Sequence, residues 1–262
     1  MFTNLKEMAS RRELIVMLVM RNLKIRYKGS VLGFLWSLLL PVLMILLYGF
    51  FAHLLRFAQS QPNYLPFLMV GIIVWQFLTM CLNDALSSVV GNATLVKKAA
   101  FPRMILPVAM VTANLVNFLL TLAILAAFLF FTGATAGARP ETLIPAILTQ
   151  TAMCLGLSCL VGAANVFFRD AAHLLSVFLL AWFFVSPVFY PLGMQLGMLP
   201  DTLDWLPYLN PMTGLLAAYR HALMGEPVIL SRILISCGVA WALLPAGVAV
   251  FRAGEHRFAE VL

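Results

Sequence analysis

The chain has 262 residues, of which 63% are hydrophobic and only 10% charged, and its formal net charge at pH 7 is +7. A soluble domain normally contains about a quarter charged residues, so this composition excludes a single water-soluble globular domain. The cations lie between long apolar blocks, which favours membrane topology over nucleic-acid binding as their explanation.

The first predicted element is an amphipathic interfacial helix over residues 11–29. An apolar stripe at helical spacing is flanked by cations, which snorkel toward lipid phosphates while the stripe enters the interface. A plain positive flank of the first membrane crossing explains these residues equally well. Gly29 then lets the backbone turn into that crossing. The stripe is Val16, Met20, Leu23 and Tyr27, and the flanking cations are Arg21, Lys24, Arg26 and Lys28.

Apolar runs of about 20 residues, the length at which a helix crosses roughly 30 Å of hydrocarbon, recur along the chain. Six crossings are predicted, at residues 32–54, 66–90, 105–131, 143–166, 171–190 and 228–251. Lys and Arg accumulate in cytoplasmic loops. With both termini in the cytoplasm, thirteen of the 17 Lys and Arg residues face inward and four outward. The sequence therefore predicts an all-α integral membrane protein with cytoplasmic termini.

Aromatic residues within the crossings are candidates for a substrate path. Flat rings offer non-ionic platforms to the faces of sugars. Trp and Tyr also gather at bilayer interfaces, and Phe is common on lipid-facing surfaces, so for any single ring these plainer roles stay open. The candidates are Tyr48, Trp75, Phe77, Trp182, Phe183 and Tyr190.

Asp84 is the only acidic residue well within a predicted crossing. A charge at that depth costs a few kcal/mol even on lenient insertion scales. A proton-relay role would need ionisable partners on other helices, and the histidines lie near the ends of segments. We therefore predict a structural hydrogen bond between Asp84 and Asn83, Asn114 or Asn117.

The loop at residues 91–103, GNATLVKKAAFPR, is predicted to form a short cytoplasmic helix. Gly and Asn suit its start, and the proline its end. A compact basic helix with an exposed aromatic side chain fits a groove on a soluble partner. Its two adjacent lysines alone would indicate only how the chain is oriented in the membrane. The candidate contact residues are Asn92, Lys97, Lys98, Phe101, Pro102 and Arg103.

The longest outer region, residues 187–227, contains six prolines but remains apolar. These prolines exclude a continuous helix. Asn and Pro at positions 210 and 211 are typical of a helix start, so a short helix closed by Gly225 is predicted. A re-entrant hairpin that caps an exit path and a loop on the outer leaflet are both compatible with this pattern. The candidate gate residues are Pro187, Pro191, Asn210, Pro211, Tyr219 and Arg220.

A membrane-embedded enzyme is the main alternative class. The segment GLSCL around Ser158 resembles part of a G-x-S motif, but the following glycine is missing and no His or Asp within a crossing is placed to activate the serine. Paired carboxylates for a metal are absent from the inner loops, and no G-x-x-x-x-G-K-[ST] phosphate loop occurs. The chain is predicted to bind no metal or cofactor and to catalyse no reaction.

Several segments in order along nearly the whole chain resemble a known family. They are RNLKIRYKGSVLGFLWSLLLP, LVKKAAFPR, FFRDAAH, and SPVFYP followed by LNPM and YR. They resemble the transmembrane subunit of type-2 ABC exporters of bacterial surface polysaccharides, the O-antigen, capsule and teichoic-acid permeases.

The resemblance implies a single exporter domain over residues 1–262 in the bacterial inner membrane. It implies a homodimer docked on two separate ATPase subunits that bind ATP and Mg²⁺, and export of a lipid-linked polysaccharide. It also implies that residues 21–29 and 92–103 contact the ATPase and that re-entrant helices precede the last crossing. A drug, haem or lipid is an alternative cargo, because residues that contact a polymer by shape alone do not reveal from the sequence which cargo they recognise.

Overall fold

The computed structural model describes residues 12–27, 35–54, 63–98, 102–168 and 170–262. Within these ranges every regular element is helical. The α-helices are α1 Arg12–Tyr27, α2 Leu35–Leu54, α3 Tyr64–Val90, α4 Ala93–Lys98, α5 Ile105–Phe131, α6 Leu143–Phe167, α7 Ala171–Val185, α8 Leu192–Leu196, α9 Pro211–Met224, α10 Leu230–Glu255 and α11 Phe258–Val261. Short 3₁₀ turns occupy Pro140–Thr142, Asp201–Leu203 and Leu206–Leu209.

Some residues predicted to contact the ATPase lie at or beyond the edges of the described ranges. Lys28, Gly29 and Phe101 lie outside the described residues. The backbone is described, but the side chain is not, at Arg26, Tyr27 and Lys98.

Four of the described helices are long and apolar enough to cross a membrane: Tyr64–Val90, Ile105–Phe131, Pro140–Phe167 and Leu230–Glu255. A shorter apolar helix spans Ala171–Val185. Helix α2 is a further 20-residue apolar helix without Asp, Glu, Lys or Arg. The prediction of an all-helical membrane protein is confirmed by these elements.

Helix α7 ends earlier than the sequence predicts. The fifth predicted crossing extends to residue 190, but the helix stops at Val185. Ser186 adopts an extended conformation (φ −88°, ψ 140°) because the ring of Pro187 disfavours helical geometry at the residue before it. The chain therefore leaves the helix in an irregular turn, which is central to the site described below.

Helix α3 lies at the centre of the bundle and is the most buried of the four candidate spans. It packs against α2, α5, α6, α7 and α9. Helices α6 and α10 approach closely where Gly156 meets Gly247, because a Cβ on Gly247 would overlap the carbonyl of Gly156. Small residues at such a crossing let two membrane helices make close van der Waals contact.

The predicted short helix in the proline-rich region is confirmed as α9. The side chain of Asn210 accepts a hydrogen bond from the backbone N–H of Met212 (3.1 Å), and Pro211 occupies the first turn. Gly225 ends the helix in the left-handed conformation (φ 72°), which a glycine adopts without steric cost. Local capping chemistry thus defines both ends of this helix.

Candidate functional sites

A groove with a volume of about 530 Å³ lies between α2, α3 and α7. Its lining includes the rings of Tyr48, Trp75 and Phe183. Polar side chains of α3 and α7 line it as well. The polar lining residues are Gln76, Thr79, Asn83, Asp84 and Ser176. The groove therefore combines aromatic surface with hydrogen-bonding groups in a chain that is otherwise strongly apolar.

The aromatic residues of the groove form a packed cluster of rings. The ring centroids of Tyr48 and Phe183 are 5.0 Å apart, and those of Trp75 and Phe183 are 5.4 Å apart. Phe77 is placed elsewhere, because it points from α3 into the core and stacks on Phe118 with centroids 4.6 Å apart. The structure thus brings three of the six predicted aromatic residues to the groove.

The other two predicted aromatic residues, Trp182 and Tyr190, lie toward the proline-rich region. The indole of Trp182 donates a hydrogen bond to Asn210 Oδ1 (2.8 Å), and the hydroxyl of Tyr190 donates to the carbonyl of Phe184 (3.0 Å). Neither side chain lines the groove. Their contacts tie the end of α7 to the segments that follow it.

Asp84 forms the hydrogen bond that the sequence predicts. The amide of Asn114 on α5, one of the three predicted partners, donates to Asp84 Oδ2 over 2.8 Å. Asp84 also lines the groove, a placement that sequence reasoning did not predict. The available signal was the recurrence of polar residues at positions 76, 79 and 83, which share one face of a helix.

The irregular turn after α7 is held by one buried cation. Arg220 of α9 is only 3% exposed, and it donates to the carbonyls of Pro187 (2.9 Å) and Val188 (2.8 Å). Its guanidinium carbon lies 3.4 Å from the ring centroid of Phe67. An arginine guanidinium stays protonated in proteins, so the group carries its charge here. Arginine suits this position because its donors diverge in a fixed fork.

Asn210 connects the same turn to the start of α9. Its Oδ1 accepts from both Trp182 and the N–H of Met212, while its Nδ2 donates to the hydroxyl of Ser186 over 2.9 Å. One side chain therefore caps α9 and also fixes the end of α7. The predicted gate residues Asn210, Arg220 and Pro187 come together in this hydrogen-bonded cluster.

Apart from Pro211 at the start of α9, the other gate candidates are Pro191 and Tyr219. Pro191 precedes α8 in an extended conformation, and Tyr219 is fully buried, with its ring edge-on to Phe118 (5.9 Å). The hydroxyl of Tyr64 donates to the carbonyl of Phe189 over 2.6 Å. Three successive carbonyls of the turn, at residues 187 to 189, are thus hydrogen-bonded by side chains from other helices.

The predicted contact residues whose side chains are described lie at the opposite end of the bundle and divide into two groups. Arg21 of α1 donates to Asn92 Oδ1 (2.7 Å), and Asn92 Nδ2 donates to the carbonyl of Ser88 (2.8 Å). These contacts join α1 to the start of α4. Lys24 and Lys97 are exposed. The first group is hydrogen-bonded within the chain, and the second is exposed.

Arg103 belongs to the first group. Its Nη1 donates to the backbone carbonyl of Glu255, near the end of α10. Pro102 lies just before it, and its carbonyl accepts from the N–H of Ile105 at the start of α5 (3.0 Å). The two residues therefore connect the α4 loop to α5 and α10.

The C-terminal helix α11 supports α4, a role that sequence reasoning missed. Phe258 is fully buried and packs edge-on against Phe251 with ring centroids 5.2 Å apart. Val96 of α4 is 2% exposed and belongs to the same buried cluster. The available signal was an isolated phenylalanine in a polar tail, GEHRFAE.

Potential metal ligands do not cluster in the described ranges, where no group of three or more His, Cys, Asp or Glu side chains lies together. The cysteines Cys81, Cys154 and Cys159 are fully buried and unbridged.

Comparison with known proteins places this architecture in a family. The model of the ABC-2 type transporter family matches residues 13–224. An O-antigen export system permease protein RfbA of Klebsiella pneumoniae is 32% identical over 251 residues, which cover 95% of each chain. A protein of the same name from Myxococcus xanthus is 33% identical over 265 residues, which cover 97% of each chain. The chain belongs to the ABC-2 type transporter family.

Proposed function

We propose that this chain is the permease subunit of an ATP-driven exporter that moves a lipid-linked polysaccharide of the O-antigen type across the bacterial inner membrane. The observation that carries the proposal is similarity over 95% or more of the chain to relatives named O-antigen export system permeases. The groove supports it, because a polymer of sugars needs many weak polar and aromatic contacts along its path.

The polar groove supports a homodimer. Asn83 and Ser176 are exposed in the single chain, and Asp84 lies beside them on the groove wall. Polar side chains at membrane depth are costly when they face hydrocarbon, and they are tolerated where protein or water covers them. A second copy facing α2 and α7 would enclose the two grooves in one hydrated path.

The proposed topology has six crossings with both termini in the cytoplasm. Helix α2 has 20 residues, enough for a crossing, whereas α7 has 15 and is about 22 Å long. The turn after α7 must therefore lie within the membrane if the chain is to reach the outer surface. Its carbonyls are hydrogen-bonded by Arg220 and Tyr64, as irregular backbone at that depth requires.

The proposed gate consists of this turn with α8 and α9, within residues 187–227. These short helices precede α10, the last crossing. The turn, α8 and α9 do not form one continuous helix and are joined by side-chain hydrogen bonds. We therefore propose that together they form the re-entrant cap of the outer exit.

The proposed ATPase contact is the surface around α1 and α4. Lys24 and Lys97 present exposed charge there, and the Arg21–Asn92 hydrogen bond couples the two helices. ATP and Mg²⁺ would bind to the separate ATPase subunits. Their closure would displace α1 and α4 as a unit and so change the packing of the bundle.

Deletion of the gene in a strain that displays the polysaccharide tests the proposal. We expect surface polymer to disappear and lipid-linked polymer to accumulate at the cytoplasmic face, where antibodies detect it only after permeabilisation. Complementation with the intact chain should restore display. Unchanged surface polymer in the deletion strain would contradict the proposed function.

A further inference from the structure

A separate cavity, with a volume of about 320 Å³, lies within the proposed gate. It is lined by residues of the turn after α7, of α8, of α9 and of the segment that leads into α10. Thr213, Ala217 and Arg220 line it from α9, at the i, i+4 and i+7 positions of one helical face. The volume is within the range of sites that bind a small molecule or part of a larger one.

Most of the lining of this cavity is apolar. Ten of the fourteen described residues that line it are apolar or glycine, and Leu192 and Leu196 of α8 are among them. Arg220 is only 3% exposed, and its guanidinium already donates to the carbonyls of Pro187 and Val188. An ordered water needs about three polar partners, so the apolar part of the lining does not hold ordered water. The polar lining residues are Tyr208, Thr213, Arg220 and Glu226.

The cavity adjoins an exposed apolar face at the start of α10. Ile229 lines the cavity and is 54% exposed, and the next residue, Leu230, is 68% exposed. Leu234, one turn further along α10, is 60% exposed. Helix α10 is long and apolar enough to cross a membrane, and an exposed apolar face on such a helix is typical of a lipid-facing surface. The surface that borders the cavity therefore suits contact with the bilayer.

A hydrocarbon chain satisfies these conditions. Lipid tails are as apolar as leucine, so a chain loses no favourable surroundings when it moves from the bilayer into the cavity. It also gains the van der Waals contacts that the walls of an empty cavity lack. The turn after α7 is proposed to lie within the membrane, where such chains are the surrounding solvent.

We propose that this cavity binds one acyl chain of a bilayer phospholipid, which completes the packing between the turn, α8 and α9. The proposal rests on the proposed position of the gate within the membrane, but it goes beyond the proposed function because it does not depend on the cargo. A lipid anchor on the cargo has the same chemistry. The phospholipid is assigned because the exposed face at the start of α10 contacts the bilayer whether or not cargo is present.

Photo-crosslinking of the complete purified chain tests this site. The protein is placed in nanodiscs of phosphatidylethanolamine and phosphatidylglycerol, with a trace of phosphatidylethanolamine that carries a diazirine in one acyl chain. After illumination, mass spectrometry measures labelling of Leu192 and Leu196 relative to labelling of Leu120 and Ile124, which are exposed on α5. The unmodified chain should be labelled more strongly at the two cavity residues. Ala217→Phe should lower the ratio about fivefold, because its ring would occupy the cavity.

Two further variants support this measurement. Gly193→Leu also fills the cavity, and a Cβ at Gly193 would meet no other atom within 4 Å, so the change is compatible with the fold. It should lower the ratio as Ala217→Phe does. Ala249→Phe is the matched control, because it adds the same ring at an exposed position of α10 outside the cavity lining. It should leave the ratio unchanged.

Two results would overturn the site: equal labelling of the cavity residues and the α5 surface in the unmodified chain, or a ratio that neither filling variant lowers. Unlabelled lipid-linked polysaccharide is then added, with an equal amount of phospholipid as its control. Loss of labelling with the polysaccharide alone would assign the cavity to the lipid of the cargo and overturn the assignment to a bilayer phospholipid. The experiment uses neither ATPase nor ATP, so failure of the lipid site leaves the proposed function standing.

Discussion

Replacement of Arg220 by methionine removes the guanidinium that holds the turn after α7 and keeps most of the apolar stem. The carbonyls of Pro187 and Val188, now bonded at 2.9 and 2.8 Å, would lose their donors in a buried site. Two charge-assisted hydrogen bonds contribute about 2 kcal/mol each. The contact with Phe67 at 3.4 Å adds about 2 kcal/mol when desolvated.

The net loss is smaller than this sum, because burying the guanidinium has a desolvation cost on the order of 2 kcal/mol that the variant avoids. The expected destabilisation is therefore about 4 kcal/mol, which corresponds to a fall in melting temperature of about 10 °C for a chain of this size. The melting temperature of Arg220→Lys should lie between those of the unmodified chain and Arg220→Met, because a lysine keeps the charge but not the forked geometry.

The buried cysteines provide the assay. Cys81, Cys154 and Cys159 are fully buried, so a thiol-reactive fluorescent dye labels them only as the purified protein unfolds in detergent. Arg139→Met is the matched control, because the Arg139 side chain is 64% exposed and its contact with Glu141 is long, at 3.9 Å. Such a surface pair contributes little. Equal melting temperatures for Arg220→Met and Arg139→Met would refute the assigned role of Arg220.

Three further perturbations test other parts of the structure. Replacement of Lys24 and Lys97 by glutamate should reverse the charge of the proposed ATPase contact and reduce copurification of the ATPase about tenfold. Undiminished copurification and export would exclude this surface as the ATPase contact. A cysteine at Met198, which is 81% exposed, should react with an impermeant thiol reagent added to intact cells, above the background of the unmodified chain; labelling only after lysis would reverse the proposed topology. Phe258→Ala should destabilise the protein by about 3 kcal/mol through the loss of packing beneath α4, and should lower the coupling of transport to ATP hydrolysis. The control Val261→Ala, at a position 52% exposed, should have little effect. Identical thermal stability and coupling of the two variants would contradict the support role of α11.

Sequence reasoning predicted the features that depend on local chemistry. The start of α9 follows from an Asn-Pro pair, and its end from Gly225, since capping and left-handed geometry are properties of single residues. Three asparagines were predicted as alternative partners of Asp84, and one of them, Asn114, is bonded to it. The prediction was possible because an acidic residue in an apolar helix needs a hydrogen-bond donor.

The features that sequence reasoning missed depend on long-range packing. Nothing local to Arg220 indicates that its partners lie 32 and 33 residues away. Similarly, Phe77 and Trp75 differ in position by only two residues, but one faces the core and the other the groove. The polar positions 76, 79 and 83 mark one face of this helix, but the partners of its apolar faces are known only once the neighbouring helices are placed.

Reconstitution of transport tests the central claim most directly. Purified protein is placed in liposomes with a lipid-linked polysaccharide, with or without its ATPase subunits, and protection of the polymer from an external glycosidase is measured over time. We expect transfer across the bilayer only when both the ATPase and hydrolysable ATP are present. Transfer by the chain alone at the same rate would contradict the account of a permease driven by a separate ATPase.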